Sequence, residues 1–143
     1  MRTRQILCPT DFSETAEHAM SYAFEMANFY NVGIRLLHVA DKPFGDKHTR
    51  ALSVTPDDLA GRMNKEAADR MRQLIKTLGK DLTVEGVIRH GHAAEQILAS
   101  ASKMNAGMIV MASHGRTGFD HLLHTNIAEE VANKATCPVL VVK

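Results

Sequence analysis

The chain has 143 residues, and 17 lysines and arginines against 16 acids leave a formal charge of +1 with its eight histidines neutral. A single domain spanning 1–143 is expected, since this length buries roughly two-thirds of the unfolded surface without metal or disulfide staples; near-neutrality without long charge blocks argues against nucleic acid or an anionic membrane as partner. No run approaches the roughly eighteen apolar residues of a membrane span, and MRTRQILCPTDF lacks the apolar core and cleavage site of a signal peptide, so a cytoplasmic protein is expected.

In chain order, Gln5 to Pro9 predict a short first strand, and Pro9-Thr10-Asp11 turn into a helix that Asp11 or Ser13 caps. Ala16, Ala19, Met20, Ala23, Phe24 and Ala27 form its apolar face, with alanines permitting close approach to a sheet while Met20 and Phe24 fill the gaps. Asn31 and Gly33 lie near its end. Ile34 to Val39 predict the second strand, which leaves through Ala40 and Asp41 at a strand carboxyl end. Residues 41–54 have no period and read as a loop. A helix from about Pro56 to Leu78 carries Leu59, Met63, Ala67, Met71, Leu74 and Leu78 on one stripe, with Gly79 as its stop signal. Leu82 to Ile88 suit a less completely buried strand near a sheet edge.

His90-Gly91-His92 lead into a helix with Ala94, Ile97, Leu98 and Ala101 inward, and Met108 to Met111 form the short continuous apolar run of a strand buried on both faces. A loop begins at Ala112. Asn126 followed by Glu129 has capping-box spacing and marks a helix start, Ile127, Val131 and Ala135 line that helix, and Pro138 blocks its continuation. Val139 to Val142 make the last strand.

Strands alternating with helices imply an α/β, doubly wound, five-stranded parallel sheet, because parallel neighbours need right-handed crossovers that cover both faces. The expected order is 3-2-1-4-5. It sets the loops after the first and fourth strands at the switch point and brings Pro9 to Asp11 opposite Ala112 to Gly115. Gly115 and Gly118 can take positive φ so that main-chain N–H groups converge, and the helix N-terminus at Asn126 adds unpaired donors and a favourable dipole for an anion. Asp11 is either a ligand acceptor or a helix cap, and Arg116 either a phosphate contact or a solvated charge. The apolar last strand lies at an edge in this order, which predicts a homodimer through it.

The remaining chemistry is sparse. His114, His121 and His124 invite a metal, but no further ligand is fixed by spacing and none is predicted. Cys8 and Cys137 form neither a metal knuckle nor a redox pair. Two strand spacings, about 10 Å, separate them in the expected order, too far for a disulfide. Ser113 is flanked as Met-Ala-Ser-His-Gly and not as a nucleophile elbow, and no Walker lysine follows the loop, so no enzyme is predicted.

PTDFSE near the start, LLHV, GHAAEQIL, MASHGRTG and the terminal CPVLVVK resemble the universal stress protein family across the whole chain. The resemblance implies that family's adenine nucleotide alpha-hydrolase-like fold and an adenine-nucleotide site. Pro9, Thr10, Asp11 and Val39 would surround the base. Met111, Ala112, His114 and Gly115, with Arg116 and Gly118 in the same loop, would meet ribose and the first phosphates. Thr125, Asn126 and Ile127 would hold the outer phosphates. ATP-binding members show Gly, any two, Gly, any nine, Gly, Ser or Thr, which falls on Ala112, Gly115, Thr125 and Asn126; only Gly115 matches. If the family's third glycine has positive φ, Thr125 there costs on the order of 1 to 3 kcal/mol and adds bulk beside a phosphate. The expectation is therefore a dimeric adenine-nucleotide-responsive stress-response switch or adaptor with a degenerate ATP-binding loop, holding ATP or AMP weakly. The alternatives are an interaction module that has lost nucleotide and a weak ATPase.

Overall fold

The computed structural model describes the backbone of residues 4–40, 56–114 and 126–143, and between 56 and 64 it describes no side chains. Its elements alternate as β1 (Ile6–Pro9), α1 (Glu14–Tyr30), β2 (Ile34–Ala40), α2 (Pro56–Leu78), β3 (Val84–His90), α3 (Ala93–Lys103), β4 (Met108–Ala112), α4 (Ile127–Lys134) and β5 (Val139–Val142). The strands pair in parallel in the expected order, β3-β2-β1-β4-β5. From β1 the chain steps towards β3 through α1 and α2, then crosses to β4 and β5 through α3 and α4. Right-handed crossovers in opposite directions place the two helix pairs on opposite faces.

β1 is enclosed on every side, and Ile6, Leu7 and Cys8 are each 0% exposed. Ile6 and Cys8 pack with Ala19, Met20, Ala23 and Met71 of α1 and α2, while Leu7 packs with Ala94, Ile97, Ala128 and Val131 of α3 and α4. Burial pushes the Cys8 thiol up to about 12. Cys137 packs against the other core cluster, and both cysteines are free.

The α1 stripe is as expected. Ala16, Ala19, Met20, Ala23 and Ala27 are buried and Phe24 packs partly buried against them. Ser13 caps the start, and Asn31 closes the end in the left-handed region at φ 53, its N–H reaching the carbonyls of Ala27 and Asn28. On α2, Ala67 and Met71 are buried, and Leu78 is partly exposed; Leu59 and Met63 lie outside the described side chains, as the 41–54 loop lies outside the described residues. Gly79 ends α2 with its N–H still bonded to the Ile75 carbonyl and without the left-handed φ of a glycine stop.

Four boundaries and one face differ from expectation, β2 running one residue past Val39 to Ala40, where it pairs with His90. β1 starts at Ile6, because Gln5 contributes only its carbonyl, to the Gly107 N–H. β3 runs from Val84 to His90 and not from Leu82 to Ile88, since its register follows β2 residue for residue, from Ile34 opposite Val84 to Ala40 opposite His90. The ladder sets the bounds, and Leu82 packs into the core ahead of the strand. β4 includes Ala112, paired with Val142. On α4 Val131 is buried and Ala135, at its C-cap, packs partly buried as expected, but Ala128 takes the inward place of Ile127, which stands exposed as the first residue of the helix. Gly86 of β3 lets α2 approach closely: a Cβ there would stand 2.5 Å from Met71 Cγ and 2.9 Å from Ile75 Cδ1.

Candidate functional site

β1 and β2 pair from Ile6 through Pro9, but β1 and β4 pair only at Ile6–Met108 and Leu7–Ile109. The two central strands therefore part towards their carboxyl ends. This is the switch-point crevice of the doubly wound sheet.

The wall from β1 is held by backbone bonds. Thr10 is buried, its N–H donates to the Leu37 carbonyl at 2.8 Å, and its hydroxyl oxygen accepts the Phe12 N–H at 3.1 Å. His38 Nδ1 lies 2.9 Å from the Thr10 carbonyl oxygen; a carbonyl only accepts, so Nδ1 carries the proton. Phe12 sits at φ 64, a left-handed conformation that costs a bulky residue on the order of 1 to 3 kcal/mol. Its ring is held 4.7 Å from the His38 ring, with the Arg70 guanidinium 5.7 Å from its centroid. The turn settles the choice of cap. Ser13 Oγ accepts the Ala16 N–H at 3.2 Å, while Asp11 Oδ1 accepts the Ser13 N–H at 3.0 Å and the Ser13 hydroxyl.

The wall from β4 begins at Ala112 and continues the ladder one residue further, with the Ser113 N–H donating to the Val142 carbonyl at 2.8 Å. Ser113 Oγ and His114 Nδ1 are 2.9 Å apart. The His114 carbonyl accepts a 3.0 Å hydrogen bond from the Thr15 hydroxyl in the first turn of α1, which ties one wall to the other.

The expected residues divide accordingly. Pro9, Thr10 and Asp11 leave β1 beside Ala112 and His114, and Val39 stands near the end of β2. Met111 and Val39 belong to the core on the α3 and α4 side, and Ala112 packs on the α1 and α2 side. Gly115, Arg116, Gly118 and Thr125 lie outside the described residues. Asn126 stands at the α4 N-terminus, where its Oδ1 accepts the N–H groups of Ala128 at 3.0 Å and Glu129 at 3.3 Å. Two donors that an anion would use are thus already satisfied by the chain itself. Ile127 follows, exposed.

Among the described residues no three His, Cys, Asp or Glu side chains converge as a metal would require; His121 and His124 lie outside them. Phe12, Thr15 and His38 shape the crevice but were not singled out in the sequence. His38 left a signal, a polar residue inside the apolar run LLHV; a left-handed phenylalanine leaves none.

Apart from the crevice, a groove of about 920 Å³ runs between α1 and α2, lined by residues that include Phe12, Met20, Phe24, Arg70 and Leu74. It lies on a sheet face, and only Phe12 is shared with the turn after β1. Among the described residues no helix is long and apolar enough to cross a membrane.

Comparison with known proteins agrees with this architecture. A universal stress protein of Methanocaldococcus jannaschii is 30% identical, with 98% of this chain and 94% of that protein covered. UspA from Lactobacillus plantarum has the same fold at a TM-score of 0.83 and 21% identity, over 98% of this chain and 97% of that one. The universal stress protein from Archaeoglobus fulgidus solved in complex with dAMP matches at 0.69 and 21%, with both chains covered completely. The model of the universal stress protein family matches residues 2–143. With that match over nearly the whole chain, this chain belongs to the universal stress protein family.

Proposed function

We propose that residues 1–143 form one universal stress protein domain that binds an adenine nucleotide weakly where β1 and β4 part. In this reading it works in the cytoplasm as a homodimer paired through β5, and it acts as a switch or adaptor and not as a catalyst. The carrying observation is the crevice itself, with Thr10 and Asp11 on one wall, His114 on the other, and the Thr15 hydroxyl spanning the gap. Adenine as the ligand is supported by the relative that holds dAMP. Weak retention of the outer phosphates follows from Asn126, which occupies donors at the helix N-terminus, and from the bulk of Thr125. The ordinary acceptors of a β5 edge support the dimer: Pro138 and Val142 turn their carbonyls to β4, so Val139 and Val141 turn theirs outward.

Calorimetric titration of wild type, Asp11→Ala and Thr125→Gly with AMP and with ATP tests the reading. Wild type should bind both weakly with little preference. Asp11→Ala should weaken both about equally, and Thr125→Gly should tighten ATP far more than AMP. No binding of either nucleotide would leave the interaction module as the function, and phosphate release above a no-protein control would make the chain an ATPase.

A further inference from the structure

With about 100° per residue, burial divides α1 into three strips. Ala16, Ala19, Ala23 and Ala27 face the sheet, and Glu17, Ser21 and Phe24 line the groove towards α2. The third strip carries Tyr22, Met26 and Phe29. It lies on the same flank as Thr15, whose hydroxyl touches the end of β4, so it looks towards the β5 edge. Tyr22 is 42% exposed and Phe29 81%. Leu140, partly buried on the α1 side of β5, continues this apolar surface to the edge of the sheet.

We infer that a second copy of this chain covers the Tyr22–Met26–Phe29 flank, so that the dimer proposed through β5 is completed by α1 packing against the α1 of the other copy. The inference rests on that homodimer reading. A four-residue strand paired with its twin buries far less than the roughly 1,200 Å² that a specific, stable dimer needs, so flanking surface must contribute. Antiparallel pairing of two β5 edges about a two-fold axis perpendicular to the sheet keeps both α1 helices on one face, flank to flank.

α1 lies chiefly over β4, between β1 and β5. Strands about 4.8 Å apart then put the two α1 axes roughly 14 Å from each other, wider than the roughly 8 to 10 Å of ordinary helix packing. Only long side chains span such a gap. Tyr22 stands at the midpoint of the 17-residue helix and Phe29 near its end, so in an antiparallel pair of α1 helices Phe29 would face the first half of the other copy's helix. The helix thus carries alanine where it meets its own sheet and aromatic rings where it meets the second copy.

Sedimentation equilibrium of the full chain at micromolar concentrations decides the matter, with circular dichroism melts confirming that each variant is folded. Phe29→Ala and Tyr22→Ala should each weaken dimerisation roughly tenfold or more, and Phe29→Leu, which keeps the apolar bulk, should stay within about threefold of wild type. Val141→Pro, at an outward N–H of the edge strand, should abolish pairing while the monomer stays folded. A monomeric wild type overturns the dimer reading and the inference together. A wild-type dimer that Val141→Pro dissociates but Phe29→Ala and Tyr22→Ala leave unchanged overturns the inference alone, and gives the aromatic flank to a different partner.

Discussion

Thr15 and His114, 99 residues apart in the chain, are joined by a 3.0 Å hydrogen bond from the threonine hydroxyl to the histidine carbonyl oxygen. It stands above a β1–β4 ladder that ends two residues into β1. Past Leu7 and Ile109 no ladder joins the central strands, and the side chain of a helix supplies the tie.

Thr15→Val should loosen that tie at little cost in volume. Loss of about 0.5 to 1.5 kcal/mol is expected in urea unfolding, with faster amide exchange around Ser113 and His114 than elsewhere in the sheet. Unchanged exchange at those two amides would show that the loop after β4 is held by other contacts.

Asn126→Gly should release the Ala128 and Glu129 donors for a ligand. ATP affinity should rise relative to AMP, while the helix loses only a few tenths of a kcal/mol because glycine is a tolerable cap. If ATP and AMP affinities move together in calorimetry, the α4 N-terminus does not meet the outer phosphates.

Gly86→Ala should destabilise the protein by roughly 1 to 3 kcal/mol, since the new methyl meets Met71 within a packed interface and forces α2 away from β3. The midpoint of urea unfolding measures it. A compensating Met71→Ala in the same chain should recover part of the loss.

How much of this was legible in the sequence depended on what encodes each feature. The parallel doubly wound sheet followed from alternation and crossover handedness, which other strand orders also satisfy, so the ladders and not the sequence decide for β3-β2-β1-β4-β5; the alanines of α1 announced its buried face. The β3 boundaries did not follow, because partners on β2 select which residues pair, and no local pattern records the register. The site was half legible. Pro9 to Asp11 and Ala112 to His114 stand on the two sides of the opening where β1 and β4 part, but the Phe12 turn depends on His38 and Arg70, which arrive from β2 and α2. The sequence marks Asn126 as a helix start with free donors, but the Asn126 side chain itself takes the Ala128 and Glu129 N–H groups.

Cys8 should resist alkylation in the native state, and its burial gives stability a pH dependence of definite sign. Below about pH 9 the thiol is neutral whether folded or unfolded. Between 9 and about 12 the unfolded chain releases its proton while the folded chain keeps it. Stability therefore falls as pH rises, by up to about 1.4 kcal/mol per unit from this group. Urea midpoints of wild type and Cys8→Ala between pH 8 and 11, compared as a difference, isolate the effect; parallel curves would refute it.

The central position of β1 also bears on how the protein is made. Synthesised ahead of both its neighbours, this strand gains β2 soon afterwards, but its other edge must wait for Met108 and Ile109. At ~5 to 20 residues per second of synthesis, that edge stays unpaired for roughly 5 to 20 seconds, a bare apolar template of the kind that captures foreign strands. A cell short of chaperone capacity would lose this chain to aggregation during translation, before any finished copy could unfold, and the yield of soluble protein should respond more to the speed of translation through residues 10–108 than to the stability of the native fold.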